Sequence, residues 1–246
     1  MKMKKVLVFA HRGYSSKYPE NTLLAFRKAI EAGADGIELD VWLSRDGVPV
    51  VIHDMTLERL AGVSKSVKAM TLSELKSVRI RGEKIPTLEE VFANIPSNVE
   101  VNVEIKDIDA VPKVVELVVA NNPKRVLISS FYPEVLREYR EYDSKTRLGL
   151  LIKDKDHAQK VKEYAESLSL WSVNVPIEGA EAIGLENFII ALNIFKKMKL
   201  NVVLWSLNDE AFYRYDVLKR LVGLFEIVIV NDVERMVTYL RNMGLR

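Results

Sequence analysis

Eight short apolar runs, rich in β-branched residues, recur along the chain: Val6–Ala10, Gly36–Val41, Val99–Ile105, Arg125–Ser130, Leu148–Ile152, Leu170–Val175, Val202–Leu207 and Glu226–Val230. Most of the gaps between them hold a segment with helical period. Thr22–Ala32 places Leu23, Phe26, Ala29 and Ile30 on one face; Ala110–Ala120 does so with Val111, Val114, Val115 and Val118. Phe188–Met198 repeats the pattern with Ala191, Leu192, Phe195 and Met198. Runs that stay apolar without alternating read as strands buried on both faces, hence a parallel sheet covered by helices. Eight such units in 246 residues match one α/β domain, a (β/α)₈ TIM barrel spanning residues 1–246. A doubly wound open sheet is the competing arrangement, and the missing Gly-rich fingerprint after the first run counts against it.

One stretch breaks the alternation. Arg45-Asp46-Gly47 is a turn signal between two apolar runs, so residues 41–53 read as a short hairpin. Residues 55–86 then form a short insertion after the second strand, with seven Lys or Arg against three Glu. It reads as a solvated loop with a short helix in preference to a basic lid over an anionic substrate.

Charge decides what kind of partner such a chain takes. The net charge of +2 is too small for bulk attraction to nucleic acid or to a membrane surface. No stretch approaches a membrane span. The basic start Met1–Lys5 imitates the head of a signal peptide, but the apolar run after it is five residues long, too short for an export signal. A soluble, cytoplasmic protein without nucleic-acid or stable membrane partners is the expectation; oligomeric state is silent. With no cysteine in the chain, any metal is held by carboxylate, amide or imidazole groups.

Chemistry gathers at strand ends, where barrel enzymes keep their catalytic groups. The first run leads directly into His11-Arg12-Gly13. An imidazole and a guanidinium there handle a proton and a phosphate together, although a solvated turn has the same appearance. The second run carries Glu38 and Asp40 two residues apart, on one face of a strand. Two such carboxylates repel unless a cation or a proton lies between them. The run Val50–Ile52 ends in His53-Asp54. The third barrel run repeats the device with Asn102, Glu104 and Lys106 on a shared face. Glu104 completes a three-carboxylate site for a hard divalent cation, or it simply pairs with Lys106. The remaining histidine, His157, lies in a polar helix start and carries no catalytic expectation.

Read in order, these residues resemble the glycerophosphodiester phosphodiesterase family. The match runs from His11-Arg12-Gly13 and Pro19-Glu20-Asn21-Thr22 through Glu38-Leu39-Asp40, Asp46-Gly47, His53-Asp54 and Leu57-Glu58-Arg59. It continues with Ile85-Pro86-Thr87-Leu88, Glu104-Ile105-Lys106, Ser129-Ser130-Phe131 and Val203-Leu204-Trp205-Ser206-Leu207-Asn208. Each piece is weak alone; the ordered set is specific.

The resemblance implies hydrolysis of small-molecule glycerophosphodiesters to glycerol phosphate and an alcohol. It implies His11 and His53 as the acid/base pair, Glu38, Asp40 and Glu104 as ligands of one Mg²⁺ or Ca²⁺, and Arg12, Lys106 and Trp205 as substrate contacts. Lysophospholipid cleavage at the same site is the second enzyme reading. A non-catalytic phosphate-binding barrel ranks below both, because all five acid/base and metal residues are present. The chain departs from the family pattern after the last strand, where Asn231-Asp232-Val233-Glu234 lacks the usual glycine and proline. That leaves the shape of the eighth loop open.

Overall fold

A computed structural model of the protein describes residues 5–246; the basic start, Met1 to Lys4, lies outside them. Eight parallel strands close into a barrel: β1 Leu7–His11, β2 Gly36–Leu43, β3 Glu100–Ile105, β4 Val126–Ser130, β5 Arg147–Leu151, β6 Ser172–Pro176, β7 Asn201–Trp205 and β8 Ile227–Val230. Each pairs with the next, and β1 pairs with both β2 and β8, so the sheet has no free edge. The fold expected from the apolar runs is therefore the fold observed.

The pleat sorts residues into two cores. Val8, Ala10, Ile37, Leu39, Val101, Val103 and Ile128 face outward and pack beneath the helices. Phe9, Leu127, Val203, Ile227 and Ile229 face inward and fill the barrel below the C-terminal ends of the strands. Phe9 is fully buried, and a side chain of this size contributes about 1.5–3 kcal/mol by leaving water. Its neighbour in register is Gly36; a Cβ there would lie 2.7 Å from the Phe9 ring.

The helices begin where capping chemistry starts them. Leu23–Glu31 follows Thr22, whose hydroxyl accepts the N–H of Ala25. Val111–Ala120 buries Val111, Val114, Val115 and Val118, the expected face. The helix expected at residues 188–198 runs Leu185–Lys197 instead, because Gly184, with a positive φ of 82° and an extended ψ of 141°, ends the preceding turn and opens it. Strand β7 stops at Trp205, short of the expected Leu207: Ser206 turns the chain by accepting the N–H of Asn208 and donating to its carbonyl.

The hairpin is present. Pro49–Val51 runs antiparallel to the end of β2, with Val41 opposite Val51. The insertion corrects the expectation of a solvated loop. Its helix, Leu72–Ser77, has a full capping box from Thr71 and Glu74. Two small antiparallel pairs flank that helix. Leu57, Val67, Met70, Leu75, Ile80 and Ile85 form a core of their own on Val50 and Ile52. Short apolar pieces scattered among charges carry too little periodicity to announce such a core. Among the described residues, no helix is long and apolar enough to cross a membrane.

Candidate active site

Strand register assembles the site at the C-terminal end of the barrel. His11 lies opposite Glu38 in the β1–β2 pairing, and Asp40 lies opposite Glu104 in the β2–β3 pairing. Partners in register point the same way, so the face that carries Glu38 and Asp40 also carries His11 and Glu104. One carboxylate oxygen from each of Glu38, Asp40 and Glu104 lies within 4.8 Å of the other two. All three are buried, at 3%, 1% and 7% exposure.

The turn after β1 is tight. Arg12 and Gly13 both have positive φ, 55° and 81°. The Arg12 N–H donates to Glu38 Oε2 at 3.0 Å. Its guanidinium lies 3.4 Å from Asp40 Oδ2 and donates to Glu20 Oε1 at 3.1 Å. Lys106 sits on the other side of the acids, 3.1 Å from Asp40 Oδ1 and hydrogen-bonded to Glu104. The Glu104–Lys106 ion pair and the three-carboxylate cluster, alternatives in the sequence, thus coexist.

Burial and crowding set the charge states. Glu38 is pushed well up, first by burial and then by Asp40 and Glu104. Glu104 is pushed up to about 7 by burial, with Lys106 opposing and Asp40 adding. Burial works against the Asp40 anion too, but Lys106 and Arg12 together hold it well below the usual carboxylate range. Two of three adjacent carboxyl groups therefore resist ionising without further positive charge. Oxygen donors at this spacing fit a hard divalent cation. The His11 imidazole is pushed down to about 4, by burial first and the Arg12 charge second.

His53 comes from the segment after the hairpin. Its carbonyl accepts the Trp42 indole N–H at 2.9 Å. Its Nδ1 lies 2.5 Å from Asp54 Oδ1. Both histidines, together with Arg12, Glu38, Glu104, Lys106 and Trp205, line one cleft. Trp205 packs edge-on against Phe131, with 5.8 Å between ring centroids. Phe131 in turn has Lys106 Nζ 5.8 Å above its ring. His157 lies in the helix Lys155–Gln159, outside this cleft, in line with its reading as a helix-start residue.

Several residues at the site carried no assigned role in the sequence. Asn21, fully buried with φ of 55°, donates Nδ2 to Asp40 Oδ2 at 2.9 Å. Glu20 bridges Arg12 to Arg59 of the insertion. Asn231, immediately after β8, places Oδ1 2.9 Å from His11 Nδ1. Its neighbour Asp232 serves the last helix instead, capping the N–H of Arg235. The loop that departs from the family pattern therefore begins at a residue that touches the histidine.

A family model, the glycerophosphoryl diester phosphodiesterase family, matches residues 11–235. The chain belongs to this family. Among curated relatives, a glycerophosphodiester phosphodiesterase of Caldanaerobacter subterraneus subsp. tengcongensis is 44% identical over 60% of this chain and 67% of its own length. One of Bacillus altitudinis is 35% identical over 70% of this chain and 76% of its own. The crystal structure of the Thermotoga maritima glycerophosphodiester phosphodiesterase superposes with a TM-score of 0.81 at 38% identity, covering 95% of this chain and 98% of that one. An Oleispira antarctica phosphodiesterase, solved with its product sn-glycerol-3-phosphate, shares the fold at a TM-score of 0.81 and 23% identity, covering 96% of this chain and 97% of its own. Membership in the glycerophosphoryl diester phosphodiesterase family makes the chain an enzyme, a phosphodiester hydrolase acting on glycerophosphodiesters.

Proposed function

We propose that the chain cleaves small glycerophosphodiesters to glycerol phosphate and an alcohol with His11 as general base and His53 as general acid, beside a divalent cation held by Glu38, Asp40 and Glu104. The observation that carries this reading is a cleft lined by two imidazoles and by Glu38 and Glu104, two members of a cluster of three buried carboxylates completed by Asp40. Bound there, Mg²⁺ or Ca²⁺ supplies Lewis-acid stabilisation of the charge that grows on a phosphoryl oxygen.

The protein residues divide the remaining work. His11, kept neutral by burial, accepts the proton of the glycerol 2-hydroxyl as that oxygen attacks phosphorus. His53 donates a proton to the departing alkoxide. The product is a cyclic phosphate, and water opens it with the two roles exchanged. Arg12 and Lys106 add fixed positive charge beside the phosphoryl group. Trp205 and Phe131 form an apolar wall for the glycerol carbons.

The test is hydrolysis of glycerophosphocholine and glycerophosphoglycerol by wild type, His11→Ala, His53→Ala and Glu104→Ala, with and without chelator. The reading requires loss of activity in chelator, return with Mg²⁺ or Ca²⁺, and loss of roughly 10²-fold or more in each histidine variant. Full turnover in chelator removes the cation from the account. A strong preference for lysophospholipids over both substrates redirects it to lipid cleavage.

A further inference from the structure

We propose that Asp209 is a positioning residue that acts through Asn231 to hold His11 in the Nδ1–H tautomer, leaving a bare Nε2 toward the cleft. The proposal rests on the reading of His11 as the base and adds the means by which the correct nitrogen is presented.

Asp209 follows β7 and starts the helix Glu210–Tyr213, yet its carboxylate does not cap that helix. It is spent on the loop after β8 instead. The side chain is buried, at 8% exposure. Its oxygens accept the Asn231 N–H at 3.0 and 2.9 Å, the Asp232 N–H at 2.7 Å and the Asn231 side-chain Nδ2 at 2.9 Å. A carboxylate accepts hydrogen bonds and gives none, so the amide must turn its NH₂ toward Asp209. The opposite flip would set two acceptor oxygens against each other.

With the amide fixed, Asn231 Oδ1 points the other way. It accepts from Ser15 Oγ at 2.9 Å and lies 2.9 Å from His11 Nδ1. An amide oxygen has no proton, so the hydrogen of that contact belongs to Nδ1. In a neutral ring Nε2 then carries the lone pair. Nε2 lies 3.9 Å from Glu38 Oε2, too far for a hydrogen bond. The nitrogen that accepts the substrate proton is thus set by a carboxylate two residues removed from the reacting atoms.

The tautomer is read directly by ¹⁵N-resolved NMR of the three histidine rings in Mg²⁺-containing buffer, with His11→Ala used for assignment. Wild-type His11 shows Nδ1–H. Asn231→Leu keeps the side-chain volume and removes the acceptor; the Nε2–H form grows, and kcat falls roughly 10- to 100-fold with KM within about threefold. Asn231→Asp alone faces Asp209 and also loses activity. The exchanged pair Asp209→Asn with Asn231→Asp restores a donor against an acceptor, and it recovers Nδ1–H and most of the lost kcat. A purely structural role does not predict that recovery. Wild-type His11 in the Nε2–H form overturns the proposal, as does Asn231→Leu with tautomer and kcat both unchanged. A tautomer shift without loss of kcat supports the relay and contradicts His11 as the base.

Discussion

Arg59, from the insertion, holds Asp54 through two hydrogen bonds, Nε to Oδ2 at 2.6 Å and Nη2 to Oδ1 at 3.2 Å. Asp54 is the carboxylate bonded to His53 Nδ1, so the insertion reaches the candidate acid through one intermediary. Arg59 also bridges to Glu20, which bonds Arg12. The other insertion cation near the strand ends, Lys68, is paired with Asp107 and Asp109. These cations are bound to neighbouring acids; they do not form an open basic lid.

Arg59→Met keeps much of the aliphatic stem and removes the fork. Kinetics on glycerophosphocholine are expected to show kcat lowered roughly 3- to 10-fold, as Asp54 loses its anchor and His53 its orientation. Half-exposed ion pairs contribute little to stability, about 1 kcal/mol or less, so the melting temperature moves by only a few degrees. An unchanged kcat would mean that the insertion does not tune the histidine.

Gly13 makes a sharper demand. It takes φ of 81°, and an added Cβ would lie 2.7 Å from the backbone carbon and the Cβ of Ala25. Gly13→Ala should destabilise the fold by about 1–3 kcal/mol from backbone conformation alone. It should also cost activity, because Arg12 is the preceding residue. Denaturant unfolding that leaves the midpoint unmoved would show that the turn has other room to adjust.

Asp35 ties both ends of the described chain to the barrel. It accepts from Lys5 Nζ at 2.6 Å, from the Val8 N–H at 2.9 Å and from Arg246. Burial works to raise its pKa, but these bonds together lower it. A carboxyl group lowered in the folded state stabilises above its unfolded pKa, and that contribution is lost as pH falls through the folded value. Asp35→Asn is expected to be less stable than wild type at pH 7 by about 1–2 kcal/mol. The difference should begin to narrow as pH falls below about 4, the unfolded value, and close only below the lowered folded value. A gap that stays constant from pH 7 to pH 3 would assign the effect to packing.

The strands and the acid face were legible in the sequence for a simple reason. A strand buried on both sides stays apolar, so Glu38, Asp40 and Glu104 stand out, and the two-residue repeat places Glu38 and Asp40 together. Which strands adjoin, and in what register, is a tertiary property. That is why Asp40 facing Glu104, and His11 facing Glu38, emerge only in three dimensions. The contacts of Asn231 and Asp209 were not legible for a related reason. Each follows a strand end and looks like an ordinary loop residue, and only folding brings the loops after β7 and β8 together. The role of Asn21 was not legible because an Asn before a helix-capping Thr reads as turn chemistry, whereas its side chain reaches Asp40.

With His11 as base and His53 as acid, as proposed, the two histidines have different tasks in one cleft, and leaving-group dependence separates those tasks. A choline alkoxide needs a proton on departure; p-nitrophenolate does not. On glycerophosphocholine, His11→Ala and His53→Ala are each expected to lose roughly 10²- to 10⁴-fold in kcat. On the p-nitrophenyl ester of glycerol phosphate, with first-turnover release of p-nitrophenolate as the readout because His53 also serves as base when water opens the cyclic phosphate, His11→Ala keeps its full defect, while His53→Ala recovers to within about tenfold of wild type. Equal defects for His53→Ala on both substrates, or recovery by His11→Ala in its place, would contradict the assignment of base and acid.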